Sequence, residues 1–315
     1  MARPNIRQIE AFNAVMKAGS ITKAAETLFI SQPAVSKLIR SFQDSCGFKL
    51  FTRGSGRIWP TTEAKRLFLE TDKLQAGVAR VEKTAKAIRG LERGEVSIVA
   101  FPALSFRVVP KYAAKFMRNR EDVALQLLTR NSPSVADSML TGEADFGISL
   151  LPSHDPGISC KPFADCSLVC ALPPGHRLAQ EKCINLIDLP AERFVTLGRA
   201  DTSYEQVMTT FSEVSLDIHP AIEAQMAEAA CTLVSEGLGV SLVPSLISIG
   251  WSSDKLIFKP IHPPIRMKMW LYTSAFEPVQ KLAMLLMEEI RKGVQEIEGE
   301  YDPAPDLPAG SAFPS

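Results

Sequence analysis

Several features are scarce in this 315-residue sequence. No apolar run approaches the roughly 18 residues of a membrane-spanning helix. The opening MARPNIRQIEAF has no apolar stretch ahead of a small-residue cleavage site, so no secretory signal is expected and the expected location is cytoplasmic. The six cysteines, Cys46, Cys160, Cys166, Cys170, Cys183 and Cys231, form no CxxC pair, and in that compartment their thiols are expected to be reduced. The four histidines, His154, His176, His219 and His262, are scattered and lack metal-ligand spacing. No GxSxG, HExxH or P-loop motif occurs. No catalytic residue, metal or cofactor is therefore expected, and the chain does not read as an enzyme.

Net charge is lacking too, with 35 Lys and Arg against 35 Asp and Glu. The balance hides a segregation. Residues 1–93 hold 17 basic and 8 acidic side chains, a net +9, and the remainder holds 18 and 27, a net −9. A basic head on an acidic body suggests that the head meets a polyanion.

That head reads as three short helices and a wing. Ile9, Phe12, Val15 and Met16 share one face at helical spacing. Gly19-Ser20 breaks the first helix and caps a second, with Ile21, Ala24, Ala25 and Leu28 inward. After Phe29-Ile30, Ser31-Gln32-Pro33 is a strong start for a third helix, with Val35, Leu38, Ile39 and Phe42 inward. Residues 48–61 read as a β-hairpin around Gly54-Ser55-Gly56. The whole is a winged helix-turn-helix over residues 1–61. Such a module lays its second motif helix in the major groove, which makes Gln32, Pro33, Ala34, Ser36, Lys37 and Arg40 the candidate base and phosphate contacts. Gln pairs with adenine, and Pro and Ala meet the thymine methyl. Lys37 and Arg40 suit phosphate or guanine. Ser20, Thr22 and Ser31 stand at helix starts where phosphates bind, and Arg53 on the wing suits the minor groove. Double-stranded DNA is the partner these residues imply.

Residues 62–93 read as a linker helix. Leu67, Leu74, Val81 and Ile88 recur every seven residues, with Val78 and Ala85 between them. Such a seam needs a partner, and the expected one is a second copy of the chain in a dimer rather than the helix's own domain. Gly90, Arg93 and Gly94 mark a hinge.

Beyond it, strands alternate with helices. Expected strands are Val96–Phe101, Val123–Leu128, Phe146–Leu150, Leu168–Leu172, Phe194–Leu197 and Val240–Val243, with others near Lys255–Ile261 and Lys268–Tyr272. Ile218–Glu223 joins the same series. Helices are expected over Val108–Arg118, Val135–Thr141, Tyr204–Glu213, Ala227–Glu236 and Pro278–Lys292. The alternation argues an α/β domain with largely parallel sheets, folded as two subdomains around a cleft. The first is expected over about 94–164 and 267–293, the second over about 165–266. The tail from 301 to 315, rich in Pro, Ala and Ser, reads as disordered.

Loops at the carboxyl ends of such strands bind small ligands. They hold Ala103, Leu104 and Ser105 after the first strand, and Asn131 and Ser132 after the second. Arg199, Asp201, Thr202, Ser203 and Tyr204 follow Leu197, and Gln225 and Met226 open a later helix. Ser105, Ser132 and Thr202 can bind a carboxylate beside helix amides, or serve only as turn formers and caps. Asp201 can pair with an ammonium or guanidinium, and Arg199 with a ligand or a structural acid.

The stretch IRQIEAFNAVMKAGSITKAAETLFISQPAVSKLIRSFQDSCGFKLFTRGSGRIWPTTEA strongly resembles the LysR-type transcriptional regulators. Ala24, Ala25, Leu28, Ser31, Gln32, Pro33, Ala34, Val35, Ser36, Ile39, Gly47, Leu50, Phe51 and Arg53 match the family's pattern, while Gln43 stands where Glu is common. GEVSIVAFPA, GEADFGISL, CALPPGHRLA and SEGLGVSLVP extend the likeness over about residues 4–293. Within the family, FVTLGRADTSYEQV and QMAEAACTLVSEGLGVSLVP are similar to the members that sense diaminopimelate and those that govern opine catabolism. The resemblance implies a periplasmic-binding-protein-like regulatory domain over 94–300, with an effector held between its subdomains, amino-acid-like or opine-like by the closer likeness. It also implies a homodimer or homotetramer on an interrupted inverted repeat, with RNA polymerase a further candidate partner. A thiol-based redox-sensing regulator is the alternative. Some relatives form a disulfide near the loop after Leu197, but this chain has no Cys between Cys183 and Cys231. Cys166 and Cys170 alternate in phase on a strand as small hydrophobes, while Cys160 and Cys183 are free to be exposed.

Overall fold

The computed structural model describes residues 4–54, 57–88 and 94–301. The chain divides into two compact units, Met1–Glu92 and Arg93–Ser315.

In the first unit, α1 (Ile6–Ala18), α2 (Ile21–Thr27) and α3 (Gln32–Cys46) pack around Phe12, Val15, Ala24, Ala25, Val35, Ile39 and Phe42. Each helix starts on a side chain that accepts a backbone N–H: Asn5, Ser20 and Ser31. The wing pairs β1 (Phe51–Gly54) with β2 (Arg57–Pro60), antiparallel. Gln43 ties α3 to it, its Oε1 accepting from the amides of Leu50 at 2.9 Å and Phe51 at 3.3 Å. The expected turn at Ser55-Gly56 lies outside the described residues.

The linker helix α4 (Thr62–Ile88) runs 27 residues, about 40 Å at the usual rise. Its first turns are bolted to α1. The Asn13 side-chain amide donates to the Thr71 carbonyl at 3.0 Å, and the Thr71 hydroxyl donates back to Asn13 Oδ1 at 2.6 Å. Leu67 packs against the unit's core. Further along the seam Leu74 is 49% exposed and Val81 69% exposed. The side chains of Ala85 and Ile88 lie outside the described residues, as does most of the expected hinge; Gly94 is described.

The second unit is built on one eight-stranded sheet. Its strands are β3 (Glu95–Ala100), β4 (Ala124–Thr129), β5 (Phe146–Ser149), β6 (Ile158–Leu172), β7 (Ile184–Asn185), β10 (Ser241–Pro244), β11 (Ile257–His262) and β12 (Arg266–Ser274). The order is β4-β3-β5-β12-β6-β11-β7, with β10 also paired to β6. A separate pair joins β8 (Val195–Leu197) to β9 (Ile222–Ala224). Around these strands lie α5 (Val109–Met117), α6 (Ser132–Leu140), α7 (Thr202–Glu213), α8 (Ala227–Ser235) and α9 (Lys281–Tyr301). A single apolar core runs through both halves, and a smaller cluster of Val99, Val135, Met139, Ile158 and Tyr272 lies under α6.

Several expectations need correction. The sheet is mixed rather than largely parallel: β3 pairs parallel with β4 and β5, but β12 runs antiparallel to β5 and β6, and β6 antiparallel to β10 and β11. No helix separates β5 from β6 or β11 from β12, so nothing there forces a parallel crossover. The strand expected over Leu168–Leu172 begins ten residues earlier, at Ile158. Pro162 hid it, because proline cannot donate to a ladder; it lies where the register with β12 shifts, between Met269 and Trp270. The strand expected over Ile218–Glu223 is only Ile222–Ala224. A wide π-helical turn, Leu104–Val108, precedes α5, and α6 and α7 begin at Ser132 and Thr202, earlier than expected.

The last helix does not stop at Lys292. It continues through Gly293 to Tyr301, so the tail expected to be disordered begins one residue too early; residues 302–315 lie outside the described residues. Gly293 is a contact point, since a Cβ there would sit 2.2 Å from the Tyr112 ring on α5. Gly293→Ala should therefore lower the stability of this unit by about 2 kcal/mol through overpacking, read as a shift of its urea midpoint with an unchanged slope.

Candidate DNA-reading helix and regulatory cleft

On the first unit, Gln32, Pro33, Lys37 and Arg40 stand exposed along α3, while Ala34 and Ser36 are half-buried. Ser31 is exposed, and its Oγ accepts from the Ala34 amide at 3.4 Å. Ser20 Oγ accepts from Lys23 in the same way, so both hydroxyls serve the fold as caps. Thr22 is exposed on α2. The side chain of Arg53 lies outside the described residues.

In the second unit a cavity of about 290 Å³ opens at the carboxyl ends of the strands. It gathers Ala103, Asn131, Ser132, Asp201, Thr202, Ser203, Gln225 and Met226 from four separate loops. It leaves out four expected residues. Leu104 is core, and Ser105 is buried behind the wall, its Oγ 2.8 Å from the Thr129 hydroxyl. Arg199 is exposed and Tyr204 half-buried, and neither lines the cavity. The first sits two residues before Asp201, and the second follows Ser203 within the first turn of α7. Phe101, Thr129, Arg130, Leu150, Ala200 and Pro244 also line the space. Phe101, Thr129, Leu150 and Pro244 end or follow strands, so the same carboxyl-end rule applied to every strand would have found them.

The walls carry a definite polarity. Asn131 and Met226 precede α6 and α8, and neither side chain caps its helix, which leaves the first-turn amides without that partner. Such helix starts favour an anion. The start of α7 is different: Asp201 accepts from the Ser203 amide at 2.8 Å and brings a negative charge to the cavity. Ser203 Oγ is buried without a hydrogen-bond partner. Arg130 stretches from the opposite wall toward Glu143, at 3.4 Å.

Beside the cavity the two halves of the unit are fastened by a pair that the sequence did not suggest. Arg107, on the π-helical turn, donates from Nε to Glu228 Oε1 at 3.1 Å and also from Nη2. Its Nη1 donates to the Ile249 carbonyl at 3.1 Å, and its guanidinium lies 5.3 Å from the centre of the Trp251 ring. Glu228 stands in the first turn of α8, next to the cavity-lining Ala227.

Of the cysteines, Cys166, Cys170 and Cys231 are buried, and burial pushes their thiols well above the ordinary range. Cys46 and Cys183 are raised for the same reason. Cys160 and Cys183, expected to be free for exposure, are each half-buried. Thiolate is the reactive species, so none of the three buried thiols is poised for oxidation.

An exposed recognition helix in one unit and a polar cleft in the other define a class: ligand-responsive DNA-binding regulators. The family follows from comparison. Residues 6–65 match the bacterial regulatory helix-turn-helix protein, lysR family, and residues 89–295 match the LysR substrate binding domain. The transcriptional activator protein LysR of Escherichia coli is 30% identical over 303 residues, spanning 96% of this chain and 97% of the relative. The octopine catabolism/uptake operon regulatory protein OccR of Rhizobium meliloti is 30% identical over 256 residues, 81% of this chain and 84% of the relative. The solved structure of CbnR, a LysR family regulator, shares the fold with a TM-score of 0.69 at 21% identity, covering 92% of this chain and 99% of that one. The chain belongs to the LysR family: it is a DNA-binding transcription regulator with an effector-binding domain. Among the described residues no helix is long and apolar enough to cross a membrane, and no cluster of three or more His, Cys, Asp or Glu could hold a metal ion.

Two outcomes follow from this geometry. Arg107→Met strands the half-buried Glu228 carboxylate and should cost the second unit about 2 kcal/mol, whereas adding Glu228→Gln should recover part of that loss in a thermal double-mutant cycle. In native protein at pH 8, iodoacetamide should leave Cys166, Cys170 and Cys231 unmodified, and mass spectrometry should find them alkylated only after unfolding.

Proposed function

We propose that this regulator answers to an amino-acid-like or opine-like effector held in the cavity. The polarity of the walls carries the reading. An α-carboxylate suits the uncapped starts of α6 and α8, and an ammonium or guanidinium suits Asp201 at the start of α7. Ser203 Oγ supplies a buried hydroxyl still in want of a partner. A volume of about 290 Å³ has room for a molecule of that class. The OccR relative, whose name ties it to octopine catabolism, supports the same chemistry.

The chain acts here as a binding protein in the cytoplasm rather than as a catalyst. Residues 1–61 read DNA through Gln32, Pro33, Ala34, Ser36, Lys37 and Arg40, with Ser20, Thr22, Ser31 and Arg53 at phosphates or the minor groove. Residues 62–93 join two copies along the apolar seam that leaves Leu74 and Val81 exposed, giving a homodimer or, through the regulatory domains, a homotetramer. Residues 94–300 sense the effector. Two-fold symmetry then requires an interrupted inverted repeat. The effector favours one arrangement of the regulatory domain over another and so alters the spacing or bend of bound DNA, with RNA polymerase the downstream partner. Against the thiol-sensing alternative stands the burial of Cys166, Cys170 and Cys231, which raises their thiols above the ordinary range.

The test is a footprint of the whole protein on DNA upstream of its own gene, with and without lysine, arginine, diaminopimelate and octopine. An interrupted inverted repeat should be protected, and one compound should shorten the protected region. Asp201→Asn should keep the protection and lose the response. Unchanged footprints with every compound would overturn the effector class, and no protection even at low salt would overturn the assignment of the DNA-reading residues.

A further inference from the structure

The first three helices of the first unit do not all end on the same residue type. α1 gives way to Gly19 at φ 63°, and α3 to Gly47 at φ 77°. Both take the left-handed conformation that closes a helix at least cost when no Cβ is present. The helix between them, α2, needs the same closure. The Ile30 amide donates to the Ala25 carbonyl at 3.1 Å, and the Phe29 amide to the Glu26 carbonyl at 3.2 Å. That pair of bonds forces the intervening residue to positive φ. Here the residue is Phe29, at φ 54°.

A phenylalanine is a poor choice for that backbone, because its Cβ crowds the following carbonyl. Nor does its ring repay the fold, for the residue is 95% exposed. An aromatic side chain held out into water on a strained turn, where the same unit twice uses glycine, is placed for something outside the chain.

Its position says what. Phe29 lies two residues before Ser31, the cap of α3, at the end of the helix where Gln32 and Pro33 are exposed. A helix-turn-helix enters the major groove by that end, so the preceding turn faces the sugar–phosphate wall. Deoxyribose presents a C–H surface there that an uncharged ring can cover. We propose that Phe29 is a DNA-contacting residue, its ring packing on a deoxyribose of the groove wall and adding affinity without neutralising a phosphate. This rests on the reading of α3 as the recognition helix.

The contact predicts effects of opposite sign. Full-length Phe29→Gly should melt at the same temperature as wild type or about 2–4 °C higher in its first unit. On a 30-base-pair mixed-sequence duplex it should bind about 3- to 10-fold more weakly at every salt concentration. The slope of log affinity against log salt should be unchanged, because no counterion-releasing charge is lost. Phe29→Asn, which tolerates positive φ, should behave likewise, and Phe29→Tyr should retain wild-type affinity. Lys37→Ala with Arg40→Ala is the control: it should weaken binding and flatten the slope. If that control leaves binding intact, the recognition-helix reading fails. If the control weakens binding but Phe29→Gly does not, the Phe29 contact alone is overturned. A lowered melting temperature in both Phe29→Gly and Phe29→Asn would make the ring structural, and a flattened slope would make its effect electrostatic; either result overturns the contact.

Discussion

The antiparallel pairing of β6 with β12 is the constraint on which the regulatory unit depends. The ladder runs from Ile158 opposite Ser274 to Ser167 opposite Arg266. At one end β12 also pairs with β5, beside the parallel strands β3 and β4; at the other, β6 pairs with β10 and β11. Both strands therefore pass from one lobe to the other. The register shift at Met269 and Trp270, opposite Ala164 and Pro162, falls midway along the ladder. A bulge bends and twists a strand locally, so the ladder that crosses between the lobes is bent at its middle.

The cavity follows from that crossing. Each lobe presents the carboxyl ends of its strands and the starts of its helices, and the crossing strands turn both sets toward one space. Polar groups are accommodated there because helix starts supply N–H donors that have no partner within their own helix. The Arg107–Glu228 pair joins a π-helical turn beside one wall to the first turn of α8 beside the other. It links the lobes next to the space that an effector would occupy. The first unit solves a simpler problem: three short helices share one apolar centre, and Asn13 and Thr71 bolt the linker helix to it.

Much of this was legible in the sequence. The capping serines and the spacing of Val35, Ile39 and Phe42 identify α3, because caps and helical periodicity are local signals. Eight of the twelve expected effector residues line one cavity, because the carboxyl-end rule depends only on where strands stop. Two of the errors share a cause. Pro162 and Gly293 look like breakers, yet one occupies a register shift and the other gives way to Tyr112. Each is excused by a neighbour more than a hundred residues away, which no local window can see.

The sequence by itself determined most of the elements and their order, the charged head and apolar seam, and the family, all of which rest on periodicity, capping and motif. Only the tertiary structure decided that the sheet is mixed, that Ser105 lies behind the cavity wall while Arg130 reaches its edge, and that Arg107 meets Glu228. Strand direction and side-chain partnership depend on how distant segments share one core, and packing at that range leaves no repeat along the chain to read.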